Sequence, residues 1–437
     1  MKGTLAWFAA VAIAVSAGEQ NFSDVKPSPQ QVMWQDLEFG VLIHFGPNSF
    51  MNREWGDGTA DPSVFNPSSF NPEQWVLAAK SAGAKYLIMV AKHHDGFCLW
   101  PSRYTDYSVK RSPWMQGNGD AVKMAAEAAR KHGLKFGVYL SPWDRHEPVY
   151  KDNRKYDEYY RNQLRELATR YGDLVEFWLD GAGSEGHVYD FDSYVKELRT
   201  YQPNTLLFAD VGFLPYADIR WVGNEEGFAP VDNWNVVDRL GYLRWRPVEA
   251  DTPLRKAHWF WHPDDEKILN STQELLDIYH KTVGRGAQLV LGLAPDSRGL
   301  LPDSDVARLK EFGDALKRMY GNSLVSDPTA QLFDGDRETI WVAPEPHTAI
   351  INYDFKTPVT FDRVVTMEWL NGGQRIQKYD IQVKNETGWH KLAEGTSIGH
   401  KKIDIFPRVT GTQIRMRILS ATGHPVLREF QVYDGGR

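Results

Sequence analysis

The sequence has 437 residues, of which 24% are charged and 13% aromatic, and it includes 16 tryptophans. This length suffices for one large domain with its own apolar core and a second, smaller domain. The net charge of -7 argues against a nucleic-acid partner, because nucleic acids are bound by concentrated basic surfaces. The aromatic content fits either core packing or a carbohydrate site, in which an indole face lies against the apolar face of a sugar.

The N-terminus has the features of a secretory signal peptide over residues 1–17. Lys2 precedes the apolar run LAWFAAVAIAVSA, which ends on small residues of the kind that signal peptidase recognises. The run is too short for a stable membrane span, and no later segment reaches the length of a transmembrane helix. We therefore expect a secreted or periplasmic protein with no membrane span, beginning near Gly18. Cys98 is the only cysteine, so no internal disulfide is expected, and its apolar surroundings favour buried packing over a role as a nucleophile.

From about Phe39 to Tyr320, short apolar runs alternate with helical patterns. The predicted strands are residues 39–46, 86–94, 135–141, 174–180, 205–210, 218–223, 257–262 and 287–294. Helices are predicted over 72–84, 120–133 and 152–171, within 189–203, and near 271–283 and 302–319. Near-continuous apolar strands separated by helices indicate a parallel sheet that is covered on its outer face. Eight such units predict a (β/α)8 barrel. The alternative, an open doubly wound sheet, is disfavoured because no glycine-rich phosphate loop follows the first strand.

The pattern changes after Gly321. The polar, proline-containing segment NSLVSDPT reads as a linker. Beyond it lie short alternating runs separated by turn residues, with no helical stretch, which predict an antiparallel β-sandwich. The expected organisation is therefore a barrel over residues 18–321 and a sandwich over 322–437.

Polar side chains follow several of the predicted barrel strands. They are His44 after the first strand, residues 92–95 after the second, Asp180 after the fourth, residues 223–227 after the sixth and residues 258–262 at the seventh. Catalytic residues of such barrels lie at the C-terminal ends of the strands, where the loops converge. Because five strand ends carry such groups together, we predict an active site at this end of the barrel.

Three functions remain open on these residues alone. Three histidines and an aspartate could hold a catalytic metal, although the adjacent His93 and His94 would point to opposite sides of an extended strand. Asp180 and Glu225 could instead flank a glycosidic bond, one ionised and one protonated. A catalytically silent glycan-binding protein would keep the aromatic and histidine side chains without needing both carboxylates.

Six segments, in this order, closely resemble glycoside hydrolase family 29, the retaining α-L-fucosidases: GVLIHFG, REWGDG, AKHHDGF, FGVYLSPWDRH, FWLDGA and RWVGNEEG. The resemblance covers about residues 33–320. The EWGDG and GNE loops are similar to those of the subfamily that prefers α-1,3/4-linked fucose on branched glycans. The C-terminal part, with LFDGDRETIW and LREFQVYD, is similar to the galactose-binding or discoidin-like sandwich that often follows such barrels.

The resemblance implies a double displacement with Asp180 as the nucleophile and Glu225 as the acid/base, and it requires neither a cofactor nor a metal. It implies that fucose hydroxyls are held by His44, His93 and His94, with further sugar contacts from Glu54, Trp55, Tyr139, Arg255 and Trp259. The expected substrates are fucosylated oligosaccharides or glycoconjugates of the Lewis type. Neutral imidazoles suit such hydroxyls because each ring has one donor and one acceptor.

Two positions depart from the family pattern. An Arg-Pro-Gly-Trp type of run is expected near the seventh strand, but here Arg255 and Trp259 are separated by Lys-Ala-His. Gly292, in the eighth strand, replaces a larger polar residue. The floor of the pocket is therefore expected to differ from that of the family.

Overall fold

The computed structural model describes residues 24–181, 184, 186–209, 217–239 and 242–436. The predicted signal peptide, residues 1–17, lies outside the described residues. The described chain forms a barrel domain followed by an antiparallel sheet domain. We find no helix in this described part with the length and apolar character needed to cross a membrane.

Eight parallel strands of the described chain form the barrel, as predicted. They are β1 (Phe39–Ile43), β2 (Tyr86–Lys92), β3 (Lys135–Leu140), β4 (Glu176–Leu179), β5 (Leu206–Ala209), β6 (Arg220–Trp221), β9 (Val248–Pro253) and β10 (Gln288–Leu293), and a separate hairpin contains β7 (Val236–Arg239) and β8 (Tyr242–Trp245). Neighbours in the sheet follow the order β5-β4-β3-β2-β1-β10-β9-β6. A backbone bridge between Phe208 and Ile219 brings β5 beside β6, so the barrel is nearly closed.

The last six helices of the barrel domain in the described chain cover its outer face, and two short ones flank the first strand. Within the described residues they are α1 (Pro29–Gln35), α2 (Pro47–Met51), α3 (Pro72–Ala82), α4 (Ala121–Lys131), α5 (Asn153–Arg170), α6 (Phe191–Tyr201), α7 (Thr272–Lys281) and α8 (Asp303–Tyr320). Helices α3 to α7 each begin after a polar residue whose side chain accepts a hydrogen bond from a backbone N–H of the first turn: Asn71, Asp120, Asp152, Asp190 and Ser271. Local sequence therefore fixes where these helices start.

Alternate residues of a barrel strand belong to two separate apolar layers. On β2, Leu87 and Met89 pack in the layer beneath the helices, whereas Tyr86, Ile88 and Val90 pack inside the barrel. Because successive side chains of a strand point to opposite faces, a strand covered on both sides must be apolar throughout. This is why the sequence of β2 reads as a continuous apolar run.

The seventh barrel strand is not at 257–262, where we predicted it. The strand that pairs with both β10 and β6 is β9, and residues 257–262 form a loop beyond it. The sequence of β9, VEADTP, carries two acids and a proline, so it lacks the apolar run of a doubly covered strand. The hairpin of β7 and β8, which connects β6 to β9 in the described chain, was also not predicted.

The second domain is antiparallel, as predicted. In the described part of the chain its strands are β11 (Trp341–Val342), β12 (Ala349–Glu368), β13 (Ile376–Asn385), β14 (Gly388–Gly395), β15 (Lys402–Ala421) and β16 (Val426–Tyr433). They form one sheet in the order β11-β16-β12-β15-β13-β14. The long strands β12 and β15 shift register twice along their pairing, and the sheet surrounds its own apolar core.

The two domains meet through a partly buried group of charged side chains around Glu38. Its carboxylate accepts hydrogen bonds from Arg337 at 2.7 Å and from Lys401 at 2.5 Å, and His400 Nε2 lies 3.2 Å away. Burial alone would raise the pKa of Glu38, but the positive charges of Lys401 and Arg337 and the hydrogen bond from His400 hold it well below its ordinary value. The interface is therefore electrostatic rather than mainly apolar at this point.

Candidate active site

A pocket opens at the C-terminal ends of the barrel strands. Eight of the residues singled out from the sequence line it: His44, Trp55, His93, His94, Tyr139, Asp180, Glu225 and Trp259. The other described residues in its lining are Leu42, Trp178, Phe208, Trp221 and Asp251. Its volume of about 120 Å³ is well below the roughly 300–1,000 Å³ of sites for drug-sized ligands, so it suits a single small ring.

Asp180 lies directly after β4 and is held from two sides. The Tyr139 hydroxyl donates a 2.7 Å hydrogen bond to Asp180 Oδ2, and His94 Nε2 lies 3.6 Å from the same oxygen. The Asp180 side chain is 24% exposed, so the carboxylate remains open to a bound molecule. This aspartate is therefore oriented by its neighbours and accessible from the pocket.

The hydrogen bonds of Ser141 determine which nitrogen of His94 carries its proton. The Ser141 hydroxyl donates to the carbonyl of Trp143 at 2.8 Å, so it must accept from His94 Nδ1, also at 2.8 Å. Burial lowers the pKa of His94, although the nearby Asp180 charge opposes this, so the ring is neutral near pH 7. Its Nε2 is then left as an acceptor that can bind a hydroxyl hydrogen beside Asp180.

His44 and His93 are also neutral rings. Burial lowers the pKa of His44 to about 3 and that of His93 well below its ordinary value, and neighbouring histidines add to both shifts. The Nδ1 atoms of both rings are buried without a hydrogen-bond partner among the described residues. Neutral imidazoles whose Nδ1 atoms have no hydrogen-bond partner among the described residues are suited to binding hydroxyl groups rather than anions.

The expectation that His93 and His94 diverge is wrong. Their ring centres lie 4.1 Å apart and both rings line the pocket, because β2 ends at Lys92 and the chain turns there instead of continuing as a strand. Within the described ranges, no group of three or more His, Cys, Asp and Glu side chains is arranged to hold a metal ion. The histidines thus converge on the pocket without forming a metal-ligand set among these residues.

Glu225 lies in a glycine-bounded turn after β6. Gly223 and Gly227 have φ values of 92° and 72°, which favour glycine. Between them, the side-chain oxygen Oδ1 of Asn224 accepts from the Glu226 N–H at 3.0 Å, and this bond fixes the turn. Glu225 borders both the pocket and a neighbouring polar groove, whereas Glu226 borders the groove alone. Of the two adjacent acids, Glu225 is therefore the one that faces Asp180 across the pocket.

Glu54 acts on the pocket through the loop that carries Trp259. Its carboxylate accepts hydrogen bonds from the backbone N–H of Trp259 at 2.5 Å and of Phe260 at 3.3 Å, and His262 Nε2 lies 3.1 Å away. Glu54 is not among the described residues that line the pocket. In this structure it holds Trp259 in place. The Trp259 ring packs at the position where a side chain on Gly292 would lie, since a Cβ there would be 2.6 Å from the indole.

Comparison with known proteins identifies the family. The family model "Alpha-L-fucosidase" matches residues 7–321, and the model "F5/8 type C domain" matches residues 319–430. "Alpha-L-fucosidase 1" of Arabidopsis thaliana is 36% identical and covers 93% of this chain and 87% of its own. The chain belongs to glycoside hydrolase family 29, the α-L-fucosidases.

Solved structures agree with this assignment. The Ruminococcus gnavus family 29 fucosidase E1_10125, determined in complex with fucose, has a TM-score of 0.86 and 31% identity, with 94% of this chain and 95% of that chain covered. The crystal structure of SpGH29 has a TM-score of 0.87 and 33% identity, covering 94% of this chain and 98% of that one. This family 29 member is therefore a glycoside hydrolase with α-L-fucosidase activity and a C-terminal F5/8 type C domain.

Arg255 of this fucosidase occupies a different place from the one expected. Its guanidinium group is buried and pairs with Asp305 at 2.7 Å and with Glu266 at 3.1 Å. It is not among the described residues that line the pocket. Arg255 follows the C-terminal end of β9, but its guanidinium group pairs with Asp305, so this arginine ties the loop after β9 to α8.

Five lining residues of the fucosidase pocket were not found from the sequence. Trp178 stacks on Phe208 with ring centres 3.7 Å apart, and Trp221 donates from Nε1 to Asp251 Oδ1 at 2.6 Å. A period-two signal was present on β4, where Glu176, Trp178 and Asp180 point into the barrel together. No comparable alternation pointed to Asp251, because the seventh barrel strand was predicted at residues 257–262 instead of at β9.

Proposed function

We propose that this fucosidase removes terminal L-fucose by a retaining double displacement. Asp180 attacks the anomeric carbon and displaces the leaving oxygen, which Glu225 protonates. Water then attacks the fucosyl-enzyme, with Glu225 acting as the base, and releases fucose with its α configuration. The observation that carries this proposal is the single small pocket that contains both carboxyl groups.

The surroundings of Asp180 support its role as the nucleophile. Tyr139 fixes one carboxylate oxygen through the 2.7 Å hydrogen bond, which orients the carboxylate toward a sugar bound in the pocket. The neutral His44, His93 and His94 supply acceptors and donors for the fucose hydroxyls without placing a positive charge beside the developing oxocarbenium ion. Trp55, which is 49% exposed, offers an indole surface at the rim.

We also propose a preference for α-1,3/4-linked fucose on branched, Lewis-type glycans. Two features support it: the EWGDG and GNE loops, and the groove that meets the pocket at Glu225. A leaving group protonated by Glu225 would lie toward this groove, whose lining includes Lys256, Asn270 and Glu274. Such polar side chains are suited to the hydroxyls of the remaining sugars.

The experiment is a substrate panel followed by NMR. Lewis a and Lewis x trisaccharides should be hydrolysed well above 2'-fucosyllactose, and the first-formed product should be α-L-fucose. Equal or reversed rates on the Lewis trisaccharides and 2'-fucosyllactose would contradict the linkage preference alone. β-L-fucose as the first product would contradict the double displacement. A chelator should leave the rates unchanged, and a loss of activity would favour the metal-dependent alternative.

Export of the protein is part of the same proposal, and it is supported by the apolar N-terminal run with its small-residue cleavage site. Cell fractionation with N-terminal sequencing of the mature protein tests it. We expect a mature chain that begins near Gly18, and retention of the full-length chain in the cytosol would contradict export.

A further inference from the structure

A third carboxyl group, that of Asp251, lines the pocket together with Asp180 and Glu225. It lies on β9, where it is paired in register with Val290 of β10, and it is only 5% exposed. Glu249, on the same strand, lies two residues earlier and therefore on the same side, toward the barrel interior. Neither the sequence motifs nor the mechanism above uses Asp251.

The groups that face Asp251 give its carboxyl no positive partner. From β6 and the loop after it come Trp221, whose indole N–H donates to Oδ1 at 2.6 Å, and Glu225. Asp180 faces it from the end of β4 and Glu249 from its own strand. The opposed residue on β10 is apolar, and none of the described residues that line the pocket is lysine or arginine. Three ionised carboxylates would thus share one pocket without compensation.

Placing like charges together in a buried site favours the neutral form of one of them. Burial has the largest effect on Asp251 and raises its pKa. The indole hydrogen bond opposes this rise, whereas the charges of Glu225 and Asp180 add to it, and the result is a pKa of about 7. Catalysis requires Asp180 to be charged and Glu225 to hold a proton in the first step. Asp251 is then the remaining group that can relieve the repulsion by keeping a proton.

We propose that Asp251 is a third functional acid of this active site, which stays protonated during turnover and donates its hydroxyl hydrogen to an oxygen of the bound sugar. One carboxyl oxygen accepts from the Trp221 indole, and the protonated oxygen is available as a donor. No bond to carbon forms or breaks at this residue, and its proton does not leave. Loss of that proton at higher pH removes the donor and adds a third negative charge, so activity falls.

Because this role rests on the proposed double displacement, the test must separate Asp251 from Glu225. An activated aryl fucoside, such as a chloronitrophenyl fucoside, needs little acid assistance in the first step. The Glu225→Gln variant also lacks the Glu225 ionisation altogether. On this substrate, kcat/KM of Glu225→Gln should still fall on the alkaline side, with a midpoint near pH 7 and the slope of a single ionisation.

The deciding comparison is the double variant Glu225→Gln/Asp251→Asn. Asparagine keeps a donor and an acceptor at nearly the same size but cannot ionise, so kcat/KM should become flat across this range while staying within about tenfold of Glu225→Gln at pH 5 to 6. The matched control is Glu225→Gln/Asp95→Asn. Asp95 is also buried and burial also raises its pKa to about 7, but it does not line the pocket among the described residues. The alkaline fall should persist in this control.

A persisting alkaline fall in Glu225→Gln/Asp251→Asn would overturn the proposal, and so would a loss of about 10³-fold or more at acidic pH, since that would show a required carboxylate. If asparagine prevents folding, Trp221→Phe gives an independent answer. Removing the indole donor destabilises the carboxylate form, so the alkaline midpoint should move to higher pH. An unchanged or lower midpoint would contradict the assignment.

A measurement without turnover distinguishes this role from the proposed function. Difference infrared spectroscopy between pH 5.5 and 8.5 should show, in the parent, a carbonyl band of a protonated carboxylic acid that disappears with a midpoint near pH 7. This band should be additional to the bands that Asp251→Asn still shows from other buried acids such as Asp95. If this band is absent from the parent, Asp251 is not a protonated acid, whatever the enzyme hydrolyses. If the band is present but no fucoside is cleaved, the proposed function fails and the protonation of Asp251 stands.

Discussion

Two acidic side chains of this fucosidase, Glu38 between the domains and Asp251 in the pocket, are both largely shielded from solvent but have opposite surroundings. Glu38 is enclosed by an arginine, a lysine and a histidine, which hold its pKa well below the ordinary value. The polar groups that face Asp251 among the described residues are acids and an indole, and burial together with the neighbouring acids raises its pKa to about 7. The same physical cost of burying a charge is met by pairing in one place and by protonation in the other.

This difference in surroundings distinguishes an acid that stabilises the fold, Glu38, from an acid that can take part in catalysis, Asp251. A paired carboxylate such as Glu38 is fixed in its charged form and connects two elements, so removing it should affect folding rather than turnover. An acid such as Asp251, which has an indole donor but no basic partner among the described residues that line the pocket, can change its protonation state near neutral pH. Removing charge from the pocket should therefore affect activity and pH dependence with little change in stability.

The largest expected effect is that of Asp180→Asn. Without a charged nucleophile, kcat/KM should fall by about 10⁴-fold or more on both an aryl fucoside and a trisaccharide, since no leaving group compensates for the missing attack. Steady-state kinetics with both substrates measures this loss, and thermal unfolding should show a folded protein. If Asp180→Asn kept activity on the aryl fucoside, the nucleophile would have to be another residue. The distinction between pocket acids that affect activity and interface acids that affect stability would then fail.

The next effect is on stability. Glu38→Gln leaves Lys401 and Arg337 without their carboxylate, and breaking a buried ion pair on one side costs about 3 kcal/mol of unfolding free energy. The matched control is Glu338→Gln, because Glu338 is 87% exposed and pairs with Arg428 at 3.5 Å, which should cost less than about 1 kcal/mol. Denaturant unfolding measures both, and equal losses would mean that burial does not distinguish them.

The pH dependence of that stability has a definite sign. The pKa of Glu38 is lowered in the folded protein, so its contribution is present in full above the unfolded value of about 4.3 and is lost as the pH falls through the folded value. The parent should therefore lose stability on acidification below about pH 4.5 more steeply than Glu38→Gln. If the Tm of the parent and that of Glu38→Gln fell by the same amount between pH 6 and pH 3, the ion pairing of Glu38 with Lys401 and Arg337 would be contradicted.

A smaller effect on activity is expected for Tyr139→Phe. The variant keeps the ring that packs beside Trp178 but loses the 2.7 Å hydrogen bond to Asp180. A hydrogen bond to a charged group contributes about 1.5–3 kcal/mol, and loss of part of it from the oriented nucleophile should lower kcat/KM by about 10- to 30-fold. Unfolding free energy should be nearly unchanged. A large loss of stability with normal kcat/KM would make Tyr139 a structural residue.

The smallest effect is expected for Gly292→Ala, which tests the altered pocket floor. A Cβ at this position would lie 2.6 Å from the Trp259 ring, so the indole must move. Overpacking of about 1 kcal/mol should raise KM for a trisaccharide about fivefold with little change in kcat. An unchanged KM would show that Trp259 does not contribute to substrate binding through this contact.

Much of the barrel could be predicted from the sequence because its strands are covered on both faces. Strands such as β2 and β10 read as continuous apolar runs, and the polar residue that ends each run marks the edge where loops converge. The strand ends alone, without the family motifs, predict His44 and Asp180 as site residues. The motifs then selected Glu225 over Glu226, and the structure puts Glu225 alone of the two in the pocket lining.

The failures have a common physical cause. β9 carries acids toward the polar centre of the barrel, so an apolar-run criterion passed over it and chose the aromatic loop at 257–262. With the strand misplaced, Asp251 was not predicted. Arg255 was expected in the pocket from the family resemblance, whereas the structure places it against Asp305. Side-chain partners that come from distant segments, such as those of Glu38, leave no local pattern to detect.

The most direct test of the two-carboxylate mechanism compares Glu225→Gln with Glu226→Gln. General acid assistance is worth about 10²–10⁴-fold and matters most for poor leaving groups. Glu225→Gln should therefore lose most activity on a Lewis trisaccharide but much less on a chloronitrophenyl fucoside. Added azide should replace water in the second displacement, speed turnover of the aryl fucoside and yield α-fucosyl azide, and Glu226→Gln should behave like the parent. Azide rescue and leaving-group dependence in Glu226→Gln instead, or in neither variant, would contradict the assignment of Glu225 as the acid/base.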